Sequence, residues 1–164
     1  MVRRYLPAES RMMASMSDEV RRAVVAELQR LANSPNFRDR ADAGRALASF
    51  ADMPGVQQPL QQLLLDAADT FVTRATAEAL LRQEDAAGLA AVASALTSAD
   101  DNHADWIHTA VRDVFTIYAY KRDAAVRTCD AMIEGPDLPL RLGLAQLRDM
   151  LIEIIPVLRP VGED

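Results

Sequence analysis

The densest group of potential metal ligands in the sequence lies in the segment DDNHADWIH, residues 100–108. Its carboxylates and imidazoles include Asp101, His103, Asp105 and His108, all residue types that bind divalent cations. On one helix, however, His103 and His108 would lie about 140° apart around the axis. Zinc sites on a single helix use histidines four positions apart, and helix capping explains the aspartates more simply. A metal-dependent enzyme or regulator centred on residues 100–108 is therefore the alternative hypothesis, and no metal is predicted.

No other group of residues has the types and spacing of a catalytic site. Both histidines of the chain lie in the segment just described, and the serines are not flanked by a glycine elbow. The six glycines form no phosphate-binding loop. Cys129, the single cysteine, falls in an apolar helical pattern and is expected to be a small core residue. The sequence predicts no catalytic residue and no cofactor, and an enzyme is the less favoured function.

Charge and hydropathy exclude several other classes of protein. The net charge of −6 disfavours a general binder of nucleic acid, whose affinity comes mainly from clustered Lys and Arg. Trp106 and the segment Tyr118–Arg122 resemble an aromatic and basic patch, and salt-dependent nucleic-acid binding there is a third, weaker hypothesis. No apolar run approaches the roughly 20 residues of a membrane span, and the N-terminus lacks the apolar core of a secretory signal. A single cysteine fits a reducing compartment, so a cytoplasmic location is expected.

The pattern of apolar residues along the chain predicts an all-α fold of about eight helices, and these helices carry the candidate side chains. Apolar residues recur at spacings of three and four, and no stretch alternates long enough to make a convincing strand. The breaks NSPN, DMPG and EGPD separate helices. The predicted helices run from residue 18 to the NSPN segment and over residues 38–51, 57–67, 70–83, 86–97, 104–119, 122–133 and 138–155.

Each predicted helix has an apolar stripe that should face the core. The stripe of the first helix comprises Val20, Val24, Leu28 and Leu31. The sixth carries Ile107, Val111, Val114, Phe115 and Tyr118, and the eighth carries Leu144, Leu147, Leu151, Ile154 and Leu158. Pro156 is expected to kink or end the eighth helix, which would leave Leu158 beyond it. That stripe could form a dimer seam, but packing against the seventh helix is preferred because two heptads are too few for a coiled coil.

An internal repeat links residues 36–50 with residues 69–83. Phe37 and Phe71, Arg40 and Arg74, Ala43 and Ala77, and Leu47 and Leu81 are each separated by 34 positions. A further 34 positions reach Val111 and Phe115, where the apolar character persists but the arginine does not. A period in the thirties built from helix pairs is typical of an α-solenoid, in which each pair buries its apolar face against its neighbours.

At this point residues 36–134 resemble the bacterial HEAT-repeat proteins. The segment DTFVTRATAEALL supplies the Asp, apolar residue, Arg, paired Ala and Leu of that repeat as Asp69, Val72, Arg74, Ala77, Ala79 and Leu80. It departs from the repeat in the extra Thr73 and in the absence of a glycine after the leucine. The resemblance implies a short right-handed solenoid of antiparallel helix pairs over residues 17–160, with residues 1–16 as an N-terminal extension. It also implies a structural polar ladder formed by Arg40 and Arg74 with Asp69 as their partner.

The first functional hypothesis is a non-enzymatic adaptor that binds another protein. Stacked helix pairs form an extended concave surface, and the resemblance implies that the second helix of each pair lines it. The outward positions of those helices predict a partner-binding row of Gln58, Gln61, Gln62, Ser94, Arg127 and Asp130. The identity of the partner, and whether the protein is a monomer or a dimer, are left open by the sequence.

Overall fold

A computed structural model describes residues 17–159 of the chain, and these residues form eight α-helices joined by short connections. The helices are α1 (Asp18–Ala32), α2 (Phe37–Leu47), α3 (Gln57–Leu64), α4 (Thr70–Leu81), α5 (Ala86–Leu96), α6 (Asp101–Phe115), α7 (Ala119–Ile133) and α8 (Leu138–Glu153). A 3₁₀ turn, Ala48–Phe50, extends α2. The predicted all-α class and the number of helices are confirmed for this part of the chain. The predicted extension, residues 1–16, lies outside the described residues.

Most of the helices begin at a polar residue whose side chain accepts a hydrogen bond from the first turn. Such a cap satisfies one of the backbone N–H groups that have no partner inside the helix. Asp100, for example, accepts from the backbone N–H of His103 at 2.8 Å, as expected for a helix-capping aspartate. The side-chain caps are Ser17, Asn36, Asp69, Asp85, Asp100 and Asp137.

The helices pack in two rows. In the first row α2 packs against α4 and α4 packs against α6, while in the second row α3 packs against α5 and α5 packs against α8. Contacts of α4 with α3 and α5 join the rows, α1 packs mainly against α2, and α7 packs mainly against α8. Through α5 this order of contacts is the one expected of stacked helix pairs. The resemblance implies that α7, as the second helix of its pair, follows α5 in the second row, but α5 packs mainly against α8 and much less against α7. The right-handed solenoid stays a prediction.

The buried apolar residues form one core that runs through both rows. Leu60, Leu63 and Leu64 of α3 are buried as predicted. The stripe predicted for α1 is wrong at Val20 and Leu31, which are exposed, while Val25 is the buried residue of that helix. Because α1 lies at the end of the first row and packs mainly against α2, with few contacts to α3, the buried strip of the helix is narrow.

A close approach of backbones joins α5 to α8. A Cβ atom added to Gly143 of α8 would lie 2.0 Å from the carbonyl oxygen of Ala93 in α5, far inside van der Waals contact. Glycine is the residue that allows two helices to approach so closely. Gly143 and the buried Leu144, Leu147 and Leu151 therefore hold α8 in the second row.

The chain after α8 returns to the connection between α6 and α7. The helix ends at Glu153, ahead of Pro156, as expected of a proline that cannot continue the hydrogen-bond ladder. Leu158 lies beyond the helix and forms an isolated parallel bridge with Tyr118. Its backbone N–H donates to the carbonyl of Ile117 at 2.8 Å. Both Tyr118 and Leu158 are exposed, so their predicted burial is wrong.

Across residues 17–159, every helix is too short or too polar to cross a lipid bilayer.

Candidate protein-binding groove

An open groove of about 680 Å³ lies on the second row of helices, between α3, α5 and the first turn of α8. Three alanines of α5, Ala87, Ala90 and Ala91, form its floor. They are spaced at three and four positions and therefore share one face of the helix. The opposite face of α5 carries the buried Leu89, Val92, Ala93 and Leu96. The groove exists because the face of α5 that meets the core carries large apolar side chains, whereas the face that points outward carries only the methyl groups of alanine.

The α3 wall of the groove consists of glutamine amides. Gln57 donates from Nε2 to the carbonyl oxygens of Ala51 at 3.3 Å and Met53 at 3.0 Å. Gln61 donates from Nε2 to the carbonyl oxygen of Ser94 in α5 at 3.3 Å. These three hydrogen bonds fix the wall relative to the connection before α3 and relative to α5. Gln58 lies between them and also lines the groove.

The opposite wall comes from the start of α8, where Pro139 and Leu140 line the groove. Asp137 accepts a hydrogen bond from the backbone N–H of Leu140 at 3.1 Å and so caps α8. A second lining carboxylate, Asp52, belongs to the connection before α3. The residues that line the groove thus include two aspartates and neither Lys, Arg nor His.

Half of the predicted partner-binding row lies at this groove. Gln58, Gln61 and Ser94 line it, whereas Gln62 is exposed on α3 outside the lining. Arg127 and Asp130 lie on α7, outside the lining, and Asp130 accepts a hydrogen bond from Arg148 of α8 at 2.5 Å. Their separation from the other three follows from the place of α8, which takes the position beside α5 that the prediction gave to α7.

The predicted polar ladder exists at Arg40, but its partner is different. Arg40 donates from Nε to Oδ2 of Asp66 at 2.7 Å and from Nη2 to Oδ1 at 3.0 Å. Asp69, the predicted partner, instead caps α4 by accepting from the backbone N–H of Phe71 at 2.9 Å. Burial opposes ionisation of Asp66, but hydrogen bonds from Arg40 and from backbone N–H groups outweigh it and lower the pKa of Asp66. The pair joins α2 to the connection between α3 and α4.

Arg74, one repeat further along, makes a more exposed bridge. It donates to Glu78 on its own helix at 2.9 Å and to Asp113 of α6 at 2.6 Å. Its side chain is 40% exposed, against 12% for Arg40. Asp69 is not its partner either. Arg40 therefore links α2 to the connection before α4, Arg74 links α4 to α6, and neither arginine lines the groove.

The structure does not gather the candidate metal ligands of residues 100–108. His103 faces Asp100 through Nδ1 at 2.6 Å and the backbone carbonyl of Asp66 through Nε2 at 3.1 Å. His108 lies 3.8 Å from a carboxylate oxygen of Glu153 in α8, and Asp101 and Asp105 are exposed. Within residues 17–159, no three His, Cys, Asp or Glu side chains are placed to hold one metal ion.

The remaining chemical candidates are occupied by structural contacts. Burial raises the pKa of the Cys129 thiol to about 11, so the thiolate needed for nucleophilic attack is scarce at neutral pH. At the Tyr118–Arg122 segment, Lys121 pairs with Glu84, and Arg122 pairs with Asp123 at 2.6 Å. Cations already paired within the protein are poor contacts for phosphate. Trp106 is half-buried on α6.

The groove combines shape, amide groups and two carboxylates. The lining includes the hydroxyl-bearing Ser94 and Thr97, and it contains no histidine, cysteine or lysine. The outward alanines of α5 that form its floor were not singled out from the sequence, in which alanine is abundant throughout. Comparisons of the chain with protein-family models, with curated proteins and with solved structures find no significant match.

Proposed function

We propose that the protein is a non-enzymatic interaction module that binds a segment of another protein in the groove between α3, α5 and α8. The observation that carries the proposal is the alanine floor of Ala87, Ala90 and Ala91, which leaves an open groove between α3, α5 and α8. Its volume of about 680 Å³ is within the range of sites that bind small ligands or single peptide segments.

The composition of the walls supports a peptide rather than a small metabolite. Backbone amides of a bound segment need hydrogen-bond partners, and glutamine side chains both donate and accept. Gln58 makes no side-chain hydrogen bond to another residue of the range 17–159 and faces the groove. An apolar side chain of the segment would lie on the methyl groups of the floor, and its burial supplies the main favourable free energy.

A variant that fills the groove tests this proposal. In Ala90→Arg a long side chain would occupy the floor, while in the matched control Ala124→Arg it would project from the exposed position 124 of α7. Proteins captured by the wild-type chain are identified, purified and titrated calorimetrically against all three chains. We expect Ala90→Arg to weaken the binding of a purified partner at least about tenfold, equivalent to about 1.4 kcal/mol, and Ala124→Arg to leave it unchanged.

Circular dichroism and thermal melting establish that both variants are folded before binding is compared. Equal affinity of the wild-type chain and Ala90→Arg for every purified partner would exclude the groove as the binding site.

A further inference from the structure

The two carboxylates of the groove have few partners within the protein. The side chain of Asp52 is 68% exposed, and its contact with Arg21 is long, at 3.6 Å. Asp137 accepts the capping hydrogen bond from Leu140 N–H at 3.1 Å, which uses one of the several acceptor positions of a carboxylate. The lining itself contains two aspartates and no Lys, Arg or His, and the one cation near it is Arg21, at 3.6 Å from Asp52.

The placement of these carboxylates matters as much as their charge. One precedes α3 and the other precedes α8, the two helices that bound the groove, while the alanine floor of α5 lies between those helices. A ligand that was only apolar would make no use of the exposed oxygens of the two carboxylates, and a ligand that was only cationic would make no use of the floor. Charge complementarity favours a ligand that offers both features.

We infer that the occupant of the groove is a short basic, amphipathic segment of another protein. An apolar side chain such as Leu or Met lies on Ala87, Ala90 and Ala91, and flanking Lys or Arg side chains pair with Asp52 and Asp137. This inference rests on the proposed function and adds the chemistry of the partner. The net charge of −6 acts in the same direction, because it speeds the approach of a basic segment.

A groove with this lining is expected to reject acidic segments. A glutamate brought beside either aspartate would meet like charge, which is a common way for interfaces to exclude wrong partners. The same argument makes binding depend on ionic strength, because both carboxylates are near solvent and their interactions are screened by salt.

Selection of peptides from a random library tests the inference without knowledge of the natural partner. A library of displayed 12-residue peptides is selected on the full chain and counter-selected on Ala90→Arg, so that only groove-dependent peptides remain. We expect these peptides to be enriched in Lys and Arg close to Leu, Ile or Met. The strongest binder is then synthesised and titrated against the wild-type chain and its variants.

The charge is tested by replacing both carboxylates with their amides. Asn is a good N-cap, so Asp137→Asn keeps the cap of α8 while it removes the charge. We expect the double variant Asp52→Asn/Asp137→Asn to bind the synthetic peptide at least about tenfold more weakly and with a smaller dependence on salt. The matched control is Asp149→Asn, an exposed aspartate of α8 outside the lining, which should bind as the wild type does.

The possible outcomes separate the two proposals. Groove-dependent peptides that are neutral or acidic, or that bind the double variant as tightly as the wild type, would overturn the basic segment and leave the binding groove standing. A selection that yields no peptide sensitive to Ala90→Arg would overturn both. Enrichment of a motif from this chain's own sequence would overturn the partner chemistry in favour of self-association.

Discussion

Different contacts hold the helices together within each of the two rows, although both rows share one hydrophobic core. In the first row, charged side chains link α2 to the connection before α4, from Arg40 to Asp66, and link α4 to α6, from Arg74 to Asp113. In the second row, α5 and α8 are joined by a close backbone approach at Gly143, while the α3 flank of α5 remains open as the groove. One side of the molecule is thus closed by directional ion pairs and the other is left partly uncovered.

This difference suggests a division of roles between the rows. Ion pairs between neighbouring elements fix their spacing, because an arginine fork and a carboxylate bond only in a narrow range of geometries. If the ion pairs fix the spacing of the first row, the helices of the second row that pack on it cannot move together and close the groove. The first row would then position the second row for binding. Substitutions in each row should change the free energy of unfolding by an amount that increases with the burial of the group they remove.

The largest effect is expected at the buried ion pair of the first row. Arg40→Met would leave the Asp66 carboxylate, only 8% exposed, without its cation, and we expect a loss of about 3 kcal/mol in the free energy of unfolding. Arg74→Met is the matched control one repeat away, and its exposed bridge should cost less than about 1 kcal/mol. Urea unfolding of both variants measures the difference. Equal losses would mean that burial does not distinguish the two bridges.

The next effect concerns the close approach in the second row. In Gly143→Ala the new methyl group would meet the backbone carbonyl of Ala93, which cannot move aside as a side chain can. We expect α5 and α8 to separate at a cost of about 2 to 3 kcal/mol, measured by urea unfolding. Gly135→Ala is the control, since its added Cβ would lie 3.1 Å from the nearest atom, the carbonyl oxygen of Met132. A Gly143→Ala variant as stable as Gly135→Ala would contradict the packing of α8 beside α5.

A smaller effect of opposite sign is expected at the centre of the first row. Thr73 of α4 is fully buried, and its hydroxyl has no hydrogen-bond partner within residues 17–159. Thr73→Val keeps the shape and removes an unsatisfied polar atom, so we expect a gain of about 1 kcal/mol in the free energy of unfolding. In the control Thr109→Val, the hydroxyl that is removed donates to the carbonyl of Asp105 at 2.9 Å, and no gain is expected. Thermal melting ranks the two variants, and a loss at Thr73 would show that its hydroxyl is bonded.

The sequence predicts the helices well because their signals are local. Caps such as Ser17 and Asp100, and breaks such as NSPN, act within a few residues of the helix end that they mark. The repeat spacing also identifies Arg40 and Arg74 as equivalent positions that connect neighbours. The spacing does not name their partners, because a carboxylate in a connection can point in several directions. Asp69 is the N-cap of α4, and recognition of that role in the sequence could have excluded it as the partner of the two arginines.

The arrangement beyond α5 was harder to predict, because periodicity shows which face of a helix is apolar and not which helix covers it. The stripe of α8 fits packing on α7, and the structure adds α5 as a second neighbour. Gly143 was the available signal, since a glycine inside an otherwise leucine-rich helix indicates a close approach. The groove depends on this placement, so its α8 wall and Asp137 could not be assigned from the sequence.

The smallest effect expected in the first row is its dependence on pH, through His103 of α6. Both ring nitrogens face acceptors, the Asp100 carboxylate and the carbonyl of Asp66, and only the protonated ring can donate to both. The other charged group that acts on the ring is the Asp66 carboxylate, which is itself paired with Arg40. Burial opposes protonation of His103, but the hydrogen bonds with Asp66 and Asp100 outweigh it and raise the pKa above its ordinary value of 6.5.

A histidine whose pKa is higher in the folded state stabilises the fold fully below the unfolded pKa, and the stabilisation is lost as pH rises through the folded pKa. We therefore expect the wild-type chain to lose up to about 1 kcal/mol relative to His103→Gln, which does not titrate, as the pH rises from about 6 to about 8. Urea unfolding of both chains at the two pH values measures the change, and an NMR titration of the His103 ring measures its pKa directly. A constant difference between the chains, with a ring pKa at or below 6.5, would mean that His103 does not hold α6 to the connection before α4 as a cation.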